Sequence, residues 1–463
     1  MNNMTYNLRS QSGQAVMTVV VLALFISLTG FIGFSQMALS ESRASYQIYT
    51  SEKSYFLSEA GSEDLMYRIK NNLSYTSPET IGLDGGTTTV TVTIIGQSRE
   101  IVSSSSVSGY VRKSKAVLQV GEGTIFSYGV QSGKGGFWME NNSTLNGSVY
   151  TSGDIWGDNT PTITGDAFAA STSRIYDMPV IQGNARAHSI ENSVISKNAT
   201  TTTSIVSSTI GRHAYAEKIG HSTIGWNAYY TNLIGSSTVG WSQFSGFPQP
   251  ADLPIIDFPI PDSQILLWEE AAEAGGVHTS PCPYTISSGT TTIGPLKINC
   301  DLTISNTAGV VMTGPIWVSG DFSIKNSAIV AVDPSYGAQS EALVVDNATN
   351  RLTSSKGTIE NSSKLLGSGT TGSYLIMVSM NSSTESGGGE VAIEPKNNNN
   401  GSIYYAPHGE ILLQNSTAIK EATAYRIHMK NSASVTYETG LNNVEFSVGP
   451  QGGYVIERWH EEE

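Results

Sequence analysis

Three stretches, SSTIGRHAYAEKIG from Ser207, HSTIGWNAYYTNLIG from His221 and SSTVGWSQF from Ser236, repeat at an offset of 14 to 15 residues. The offset aligns Ile210 with Ile224 and Val239, Gly211 with Gly225 and Gly240, and Tyr215 with Tyr229 and Phe244. A unit this short cannot enclose a core alone, so it must bury its apolar residues against copies of itself, one coil stacked on the next. A looser echo runs further along the chain. An apolar residue, any residue, Asn, then Ser or Thr recurs with Asn192, Asn306, Asn326, Asn361, Asn415 and Asn431 in third place. Between DLTISN at Asp301 and DFSIKN at Asp321 the offset is 20. Short strands ended by Asn or Gly at such spacings predict a mainly β chain built on a right-handed parallel β-helix, or solenoid. Asn suits its corners because it tolerates positive φ and its amide can hydrogen-bond to its copy in the next coil.

Coils are expected over residues 126–246 and again over 280–463, the latter ending in strand-like runs at Val444 to Val448 and Tyr454 to Trp459. Between them FPQPADLPIIDFPIPDSQILLWEEAAEAGG, from Phe247 to Gly276, is Pro-rich and then helical. Asp262 reads as the N-cap, Ile265, Trp268 and Ala272 share a face, and Gly275 is the stop. A solenoid exposes an apolar cross-section at each end, so residues 247–279 are expected to be a linker and a helix that caps the stack. A hinge between two lobes is the alternative.

The other strong constraint is amino-terminal. From Ala15 to Phe34 the chain is apolar apart from Thr18, Ser27 and Thr29 with Gly30 and Gly33. Twenty residues at about 1.5 Å each span a bilayer's hydrocarbon core. Arg9 precedes the run and Glu41 follows it, which orients the amino terminus to the cytoplasm. Ala38-Leu39-Ser40 keeps ordinary signal cleavage as an alternative. No linker follows. Residues 41–70 contain one Gly and no Pro, and Ile48, Tyr55, Ser62 and Ile69 recur at heptad spacing beside Leu65 and Met66. A single helix over about 14–70 is expected, half in lipid and half amphipathic. Residues 71–125 then alternate through Val90, Val92 and Ile94, and predict a small antiparallel strand module.

Ser12-Gly13-Gln14-Ala15, the apolar helix after it, and Ser58-Glu59-Ala60 beyond resemble the amino-terminal region of PilX-like minor pilins of type IV pilus systems. The resemblance covers about the first 70 residues. It implies that residues 1–13 are a leader, that a prepilin peptidase cuts between Gly13 and Gln14, and that the helix packs among other pilin-like subunits. It also implies that a long helix backed by a strand meander forms a pilin head. Gln14 stands where an aromatic is usual and Thr18 where major pilins carry a glutamate, which suits a minor subunit.

Composition narrows the partners. Charged residues make up 14 % of the chain and the net charge is −14. An acidic chain without a run of Lys and Arg gives no attraction to phosphate backbones, so nucleic acid is not expected as a partner. Cys282 and Cys300 are a candidate disulfide if the chain is exported. A parallel β-helix can host polysaccharide chemistry, which needs clustered carboxylates or an acidic calcium site with a base. Asp301 and Asp321 recur at one coil's offset but sit at strand starts, where Asp is an ordinary turn residue. No phosphate loop, dinucleotide fingerprint, nucleophile elbow or calcium repeat is present. No catalytic residue, cofactor or metal is therefore expected. Trp226 and Trp241 occupy one place in successive repeats, with Arg212 there one coil earlier. Facing outward they would stack as a platform for sugar rings; facing inward they would be a core stack, which is the expectation.

These readings converge on a non-enzymatic, pilin-like protein of the prokaryotic cell envelope. It is held in the membrane through residues 15–34 or carried in an extracellular pilus, and displays a β-helix for adhesion, with a surface glycan as the possible ligand. The alternative is a membrane-anchored β-helix protein that binds or degrades polysaccharide.

Overall fold

The computed structural model describes residues 11–70, 76–83, 85–95, 98–119, 124–234, 236–448 and 455–462. The chain divides into two compact units, residues 1–120 with 454–463, and residues 121–453. A long amino-terminal helix, a small antiparallel sheet and a parallel β-solenoid make it mainly β.

In the first unit, helix α1 runs unbroken over Gln11–Lys70. Its amino-terminal half is bare: Val16, Leu22, Phe25, Phe31, Phe34 and Leu39 all expose more than half of their surface. Ser27 and Thr29 bond back to the carbonyls of Ala23 and Phe25 at 2.7 and 2.8 Å, so the hydroxyls within the apolar half are satisfied inside the helix. The carboxy-terminal half packs on a sheet of Glu79–Leu83, Gly86–Ile95, Ser98–Val107, Tyr110–Gln119 and Val455–Glu462, antiparallel throughout.

The packed stripe follows the expected heptad at Ser62 and Ile69, with Leu65 and Met66 beside them, and departs from it at Ile48 and Tyr55. Ile48 is exposed and Tyr55 half-buried, whereas Thr50, Ser54, Leu57, Ser58, Ser62, Leu65, Met66 and Ile69 are buried. Over Thr50, Ser54 and Ser58 the docking face is set by small size, and beyond Ser62 by the apolar residues expected. A Cβ on Gly61 would meet Ser103 Oγ at 2.8 Å and Val90 Cγ2 at 2.9 Å, so helix and sheet approach closely there. Small hydroxyls fill the seam, with Ser54 Oγ 3.0 Å from Ser105 Oγ and Ser62 Oγ 2.9 Å from Ser114 Oγ. The strand Val455–Glu462 pairs with Tyr110–Gln119, placing Trp459 opposite Ala116. Residues 454–463 therefore belong to the small module and not to the solenoid region 280–463 expected of them. In chain order the solenoid is an excursion between two neighbouring strands of this sheet.

In the second unit the coils repeat as the sequence indicates. Ala185, Ala199, Ala214 and Ala228 stack in register, as do Ile190, Ile205 and Ile219, at coil lengths of 14 to 15 residues. Coils further along are 20 residues long, and insertions lengthen two of them to 35 and 36. Their order in the stack is not chain order. Val130–Glu140 lies in register between Glu421–Lys430 and the pair Val149–Thr151 and Ile155–Asp158. The stack therefore runs from residue 277 to 436 and continues with 130 to 245.

An asparagine ladder marks this continuity. Each amide donates to the previous one along Asn306, Asn326, Asn361, Asn397, Asn415, Asn431, Asn141 and Asn159, at 2.9 to 3.4 Å. It crosses from Asn431 to Asn141 without a break. Every member has positive φ, between 49° and 67°, and Asp177, Asn192, Ser207 and His221 share that conformation in the shorter coils. Carboxamides form the corner because they accept the left-handed region and pair with themselves.

The 247–279 segment neither caps an end nor hinges two lobes. From Gly246 the chain runs back along the side of the coils: Ser171 N donates to Leu253 O, Gln131 Nε2 to Asp257 O and Arg186 Nη2 to Ala251 O. Helix α2, Asp262–Gly275 with Pro261 as N-cap and Gly276 as C-cap, lies against the strands Leu296–Ile298, Ile316–Val318 and Glu341–Val345. Ile265, Trp268 and Ala272 are its buried residues as expected, joined by Glu269. Trp268 packs 4.9 Å from Phe446 in an apolar layer outside the coils that includes Ile376, Ile403 and Tyr405. A segment that must join the far end of one run of coils to the far start of the other has to travel alongside the stack, which explains its prolines and its lateral helix.

Candidate functional site

The Gly13–Gln14 bond lies in the first turns of α1, and residues 1–10 of the expected leader are outside the described residues. Cys282 and Cys300 are joined, with Cα atoms 5.9 Å apart, and close a loop at the start of the stack. His221, exposed at φ 50°, is a corner residue.

Trp226 and Trp241 do not form a core stack. They project outward, 38 % and 70 % exposed, because the inward places beside them are held by Ile224 and Ala228. Their rings stack at 5.3 Å and 8°, with the Arg212 guanidinium 5.5 Å over Trp226. A second ladder, Tyr215, Tyr229 and Phe244, stacks beside it at 4.6 and 4.8 Å. Parallel stacking uses up the faces. Trp226 is held between a guanidinium and an indole, so the side of the ladder offers ring edges, while a sugar needs a face. The uncovered face is that of Trp241, in the last coil of the stack.

The structure brings together a further outward group nearer the junction of the two runs. Phe137, Met139, Ile155 and Ile175 point inward and are fully buried. Their neighbours point outward, and register aligns Leu412, His428, Trp138, Trp156 and Tyr176 across successive coils. Trp138 and Trp156 meet edge to face at 6.1 Å and 86°, and His428 packs on Trp138 at 5.7 Å. Charged groups flank each ring two residues away on the same face. Arg426 lies 5.2 Å over Trp138 and pairs with Glu410, His428 Nε2 is 3.0 Å from Glu140, and Arg174 pairs with Asp154 at 2.9 Å and covers Tyr176 at 4.8 Å. Burial pulls the His428 imidazole below its ordinary value despite Glu140 and Glu410. The signal for this group is present in the sequence: GGFWMENN from Gly135 and GDIWGDNT from Gly153 repeat at an offset of 18.

A third cluster fastens the lateral segment. His408 is 2.6 Å from Glu385 and 3.0 Å from Asp262, at the edge of a cavity of about 480 Å³ lined by Lys134, Ile255, Phe258 and Tyr425. Burial pulls the His408 imidazole down, but the two carboxylates outweigh it and the net shift is upward. Under α2, Asp346 is fully buried and receives both Arg351 Nε and Nη2 at 2.8 and 2.6 Å. Burial, with Asp346 next to it, pushes the Glu269 carboxyl up to about 8. Among the described residues no group of three or more His, Cys, Asp or Glu side chains is placed to hold a metal ion.

No protein-family model and no curated protein matches the chain. Among solved structures it is similar to the competence-associated pilin ComZ from Thermus thermophilus, at 10 % identity and a TM-score of 0.26, over 89 % of this chain and 97 % of that one.

Proposed function

We propose that the chain is a pilin-like minor subunit of a type IV pilus-like assembly, or a membrane-held relative of one, that displays its solenoid on the cell surface for adhesion. The observation that carries this reading is α1 itself. One unbroken helix bears a bare apolar half, long enough to cross a membrane, and a half that packs on a four-plus-one strand antiparallel sheet. That division of labour is the one the PilX-like resemblance of residues 12–60 implies: the bare half packs among neighbouring subunits or lipid, and the sheet carries the displayed domain. Thr18 supports a minor position, since a filament-core helix without the usual glutamate has no charge to pair with a neighbour's amino terminus. The solenoid is read as a binding surface and not as a catalyst. Glu410, Glu140 and Asp154 on its aromatic face are each engaged by Arg426, His428 or Arg174, which supports that reading.

Shearing cells that express the protein and probing the released filament fraction tests the assignment. Recovery of the chain with the filaments supports it. Retention of the whole pool in the membrane, with Gly13→Leu behaving identically to the unmodified chain, would overturn it.

A further inference from the structure

The two ends of the solenoid are finished differently. At the first coil, Pro281 and Pro283 stand before the outer strand Tyr284–Ile286, and Cys282 ties this coil to Cys300 of the next. Proline on an outer strand keeps a free sheet edge from pairing with another chain. The last coil has no proline. Its strand Thr238–Val239 pairs with Thr223–Ile224 and ends its sheet, and its strand Gln243–Ser245 pairs with residues 228–230. From Gly246 the chain leaves sideways, with the Phe247 ring 5.0 Å from that of Tyr229, and residues 240–246 are exposed throughout. The inward columns therefore end open. Ile210 and Ile224 are buried but Val239 after them is only half-buried, and the buried Ala214 and Ala228 are followed by an exposed Gln243.

What fits such an end is decided by its shape and its charge. Gln243–Ser245 covers only the first part of the strand Ala228–Ile234, so the end is one turn of a ramp with a step between residues 228–230 and 232–234. A helical ramp has two-fold axes perpendicular to its own axis. A second copy turned over about such an axis presents a ramp of the same pitch and hand, and each step closes the other. Its Gln243–Ser245 lies along residues 232–234, and its Thr238–Val239 lies antiparallel beside Thr238–Val239, which continues the sheets with the strand direction reversed. A partner of unrelated shape would have to match both step and slope. Charge points the same way: residues 219–250 contain no Asp, Glu, Lys or Arg, although the whole chain carries −14. An uncharged end offers nothing to an oppositely charged partner, and it is where an acidic chain can meet itself without like charges facing each other. The lysines that commonly guard an exposed edge are missing from the same residues.

We infer that the last coil of the solenoid, residues 231–246, is a homotypic interface at which two copies of the chain join end to end about a two-fold axis, their edge strands paired antiparallel. The contact covers the indole face of Trp241 that the aromatic ladder leaves open, and the half-buried Val239. It is a property of the solenoid alone and does not rest on the pilin reading of α1.

Sedimentation velocity of the full chain in density-matched detergent, with cross-linking of single cysteines, tests it. The wild type should sediment as a concentration-dependent dimer. Thr238→Lys combined with Phe244→Lys, both at exposed positions of the edge strands, should weaken self-association about tenfold or more by setting like charges against each other. Mixing that variant with Thr238→Glu combined with Phe244→Glu should restore the dimer, which a merely damaged fold would not do. Because Cys282 and Cys300 are bonded to each other, Thr238→Cys carries the sole free thiol, and a short bis-maleimide should join it to its own copy. Thr209→Cys lies in the same column two coils deeper, about 24 Å from its copy at the spacing of stacked strands, and should not be joined. Far-ultraviolet circular dichroism melts establish that each variant is folded, and the cysteine pair carries the test if a charged variant is not. A wild type that stays monomeric at every concentration, whether its end is left free or serves another partner, overturns the proposal. So does a dimer that persists in the folded lysine variant, which would place the contact on α1 or elsewhere, or cross-linking of Thr209→Cys as readily as Thr238→Cys. Leader cleavage and filament entry do not enter the measurement, so its failure leaves the pilin reading standing, and a failure of that reading leaves this result interpretable.

Discussion

Asn141 is where the two runs of coils meet on the corner ladder, and replacing it tests the order of the stack. Its Nδ2 donates to Asn431 Oδ1 and its Oδ1 accepts from Asn159 Nδ2, both at 3.1 Å, while its backbone is held at φ 49°. Two neutral side-chain hydrogen bonds contribute about 0.5–1.5 kcal/mol each, less when exposed as these are. Holding a Cβ-bearing residue in the left-handed region costs about 1–2 kcal/mol, a cost that Asn moderates and Gly escapes. Asn141→Ala should therefore lose roughly 2–3 kcal/mol, and Asn141→Gly only about 1–1.5 kcal/mol, the reverse of the usual preference for Ala over Gly in regular structure. Stacked repeats open locally, so a single melting temperature would blur the effect. Hydrogen exchange read by mass spectrometry on peptides spanning 130–146 and 421–436 localises it. Both peptides should lose protection together, because they are adjacent coils despite lying some 290 residues apart. Ala as stable as Gly, or loss of protection in 130–146 with 421–436 untouched, would refute both the ladder and the stacking order.

Glu341 is buried and its carboxyl is pushed up to about 7 by that burial, against an ordinary value of 4.5. Below pH 4.5 both folded and unfolded chains hold the proton. As pH rises to 7 the unfolded state alone gives it up, so this group lowers stability by roughly 3 kcal/mol across that window, and Glu341→Gln should reduce the loss of stability between pH 5 and 8 in denaturant titrations by about that amount, leaving the share carried by the raised Glu269 and Glu421. His408 behaves in the opposite chemical sense with the same sign: its folded value is raised, so the clasp to Asp262 and Glu385 is fully present below about pH 6.5 and is lost as pH passes through the folded value. Exchange protection of residues 255–262, corrected for intrinsic rates, should fall between pH 6 and 8.5 in the wild type, and the pH dependence should vanish in His408→Ala. Reduction of Cys282–Cys300 should cost the first coils about 3 kcal/mol, given the 18-residue separation, seen as faster proteolysis near residues 277–300. Gly61→Ala should destabilise the helix–sheet module by about 1–3 kcal/mol through overpacking against Ser103 and Val90, whereas Gly30→Ala, with nothing within 4 Å, should not.

The solenoid was legible because its signals are local and repeated. The period, the inward column of Ile210 and Ile224, and five of the ladder asparagines follow from spacing alone. Asn141, Asn159 and Asn397 escape the apolar-x-Asn-Ser/Thr pattern because Asn142 follows the first, while Gly157 and Pro395 hold the apolar place before the other two. The order of the coils was not legible, since a stack joins any two compatible edges and nothing in a repeat says which of its copies lies above it. The membership of residues 455–462 in the small sheet was hidden for the same reason: strand partners far apart in sequence leave no local trace. For Trp226 and Trp241, spacing showed that the rings would stack, but which way they face depends on the single-residue parity between Ile224 and Ala228. The Trp138 and Trp156 pair was readable as an 18-residue repeat, yet only the register across Arg426, His428 and Tyr176 turns two tryptophans into a column.

The mass of the mature amino terminus decides whether α1 is processed as the proposed pilin helix. The chain should be co-expressed with a prepilin peptidase, extracted from the membrane and measured intact and after digestion. A protein that begins at Gln14, with or without one added methyl group, is expected, together with an uncut product from Gly13→Leu. A protein that keeps Met1, or one that begins at Glu41 after removal of the whole apolar run, would contradict it.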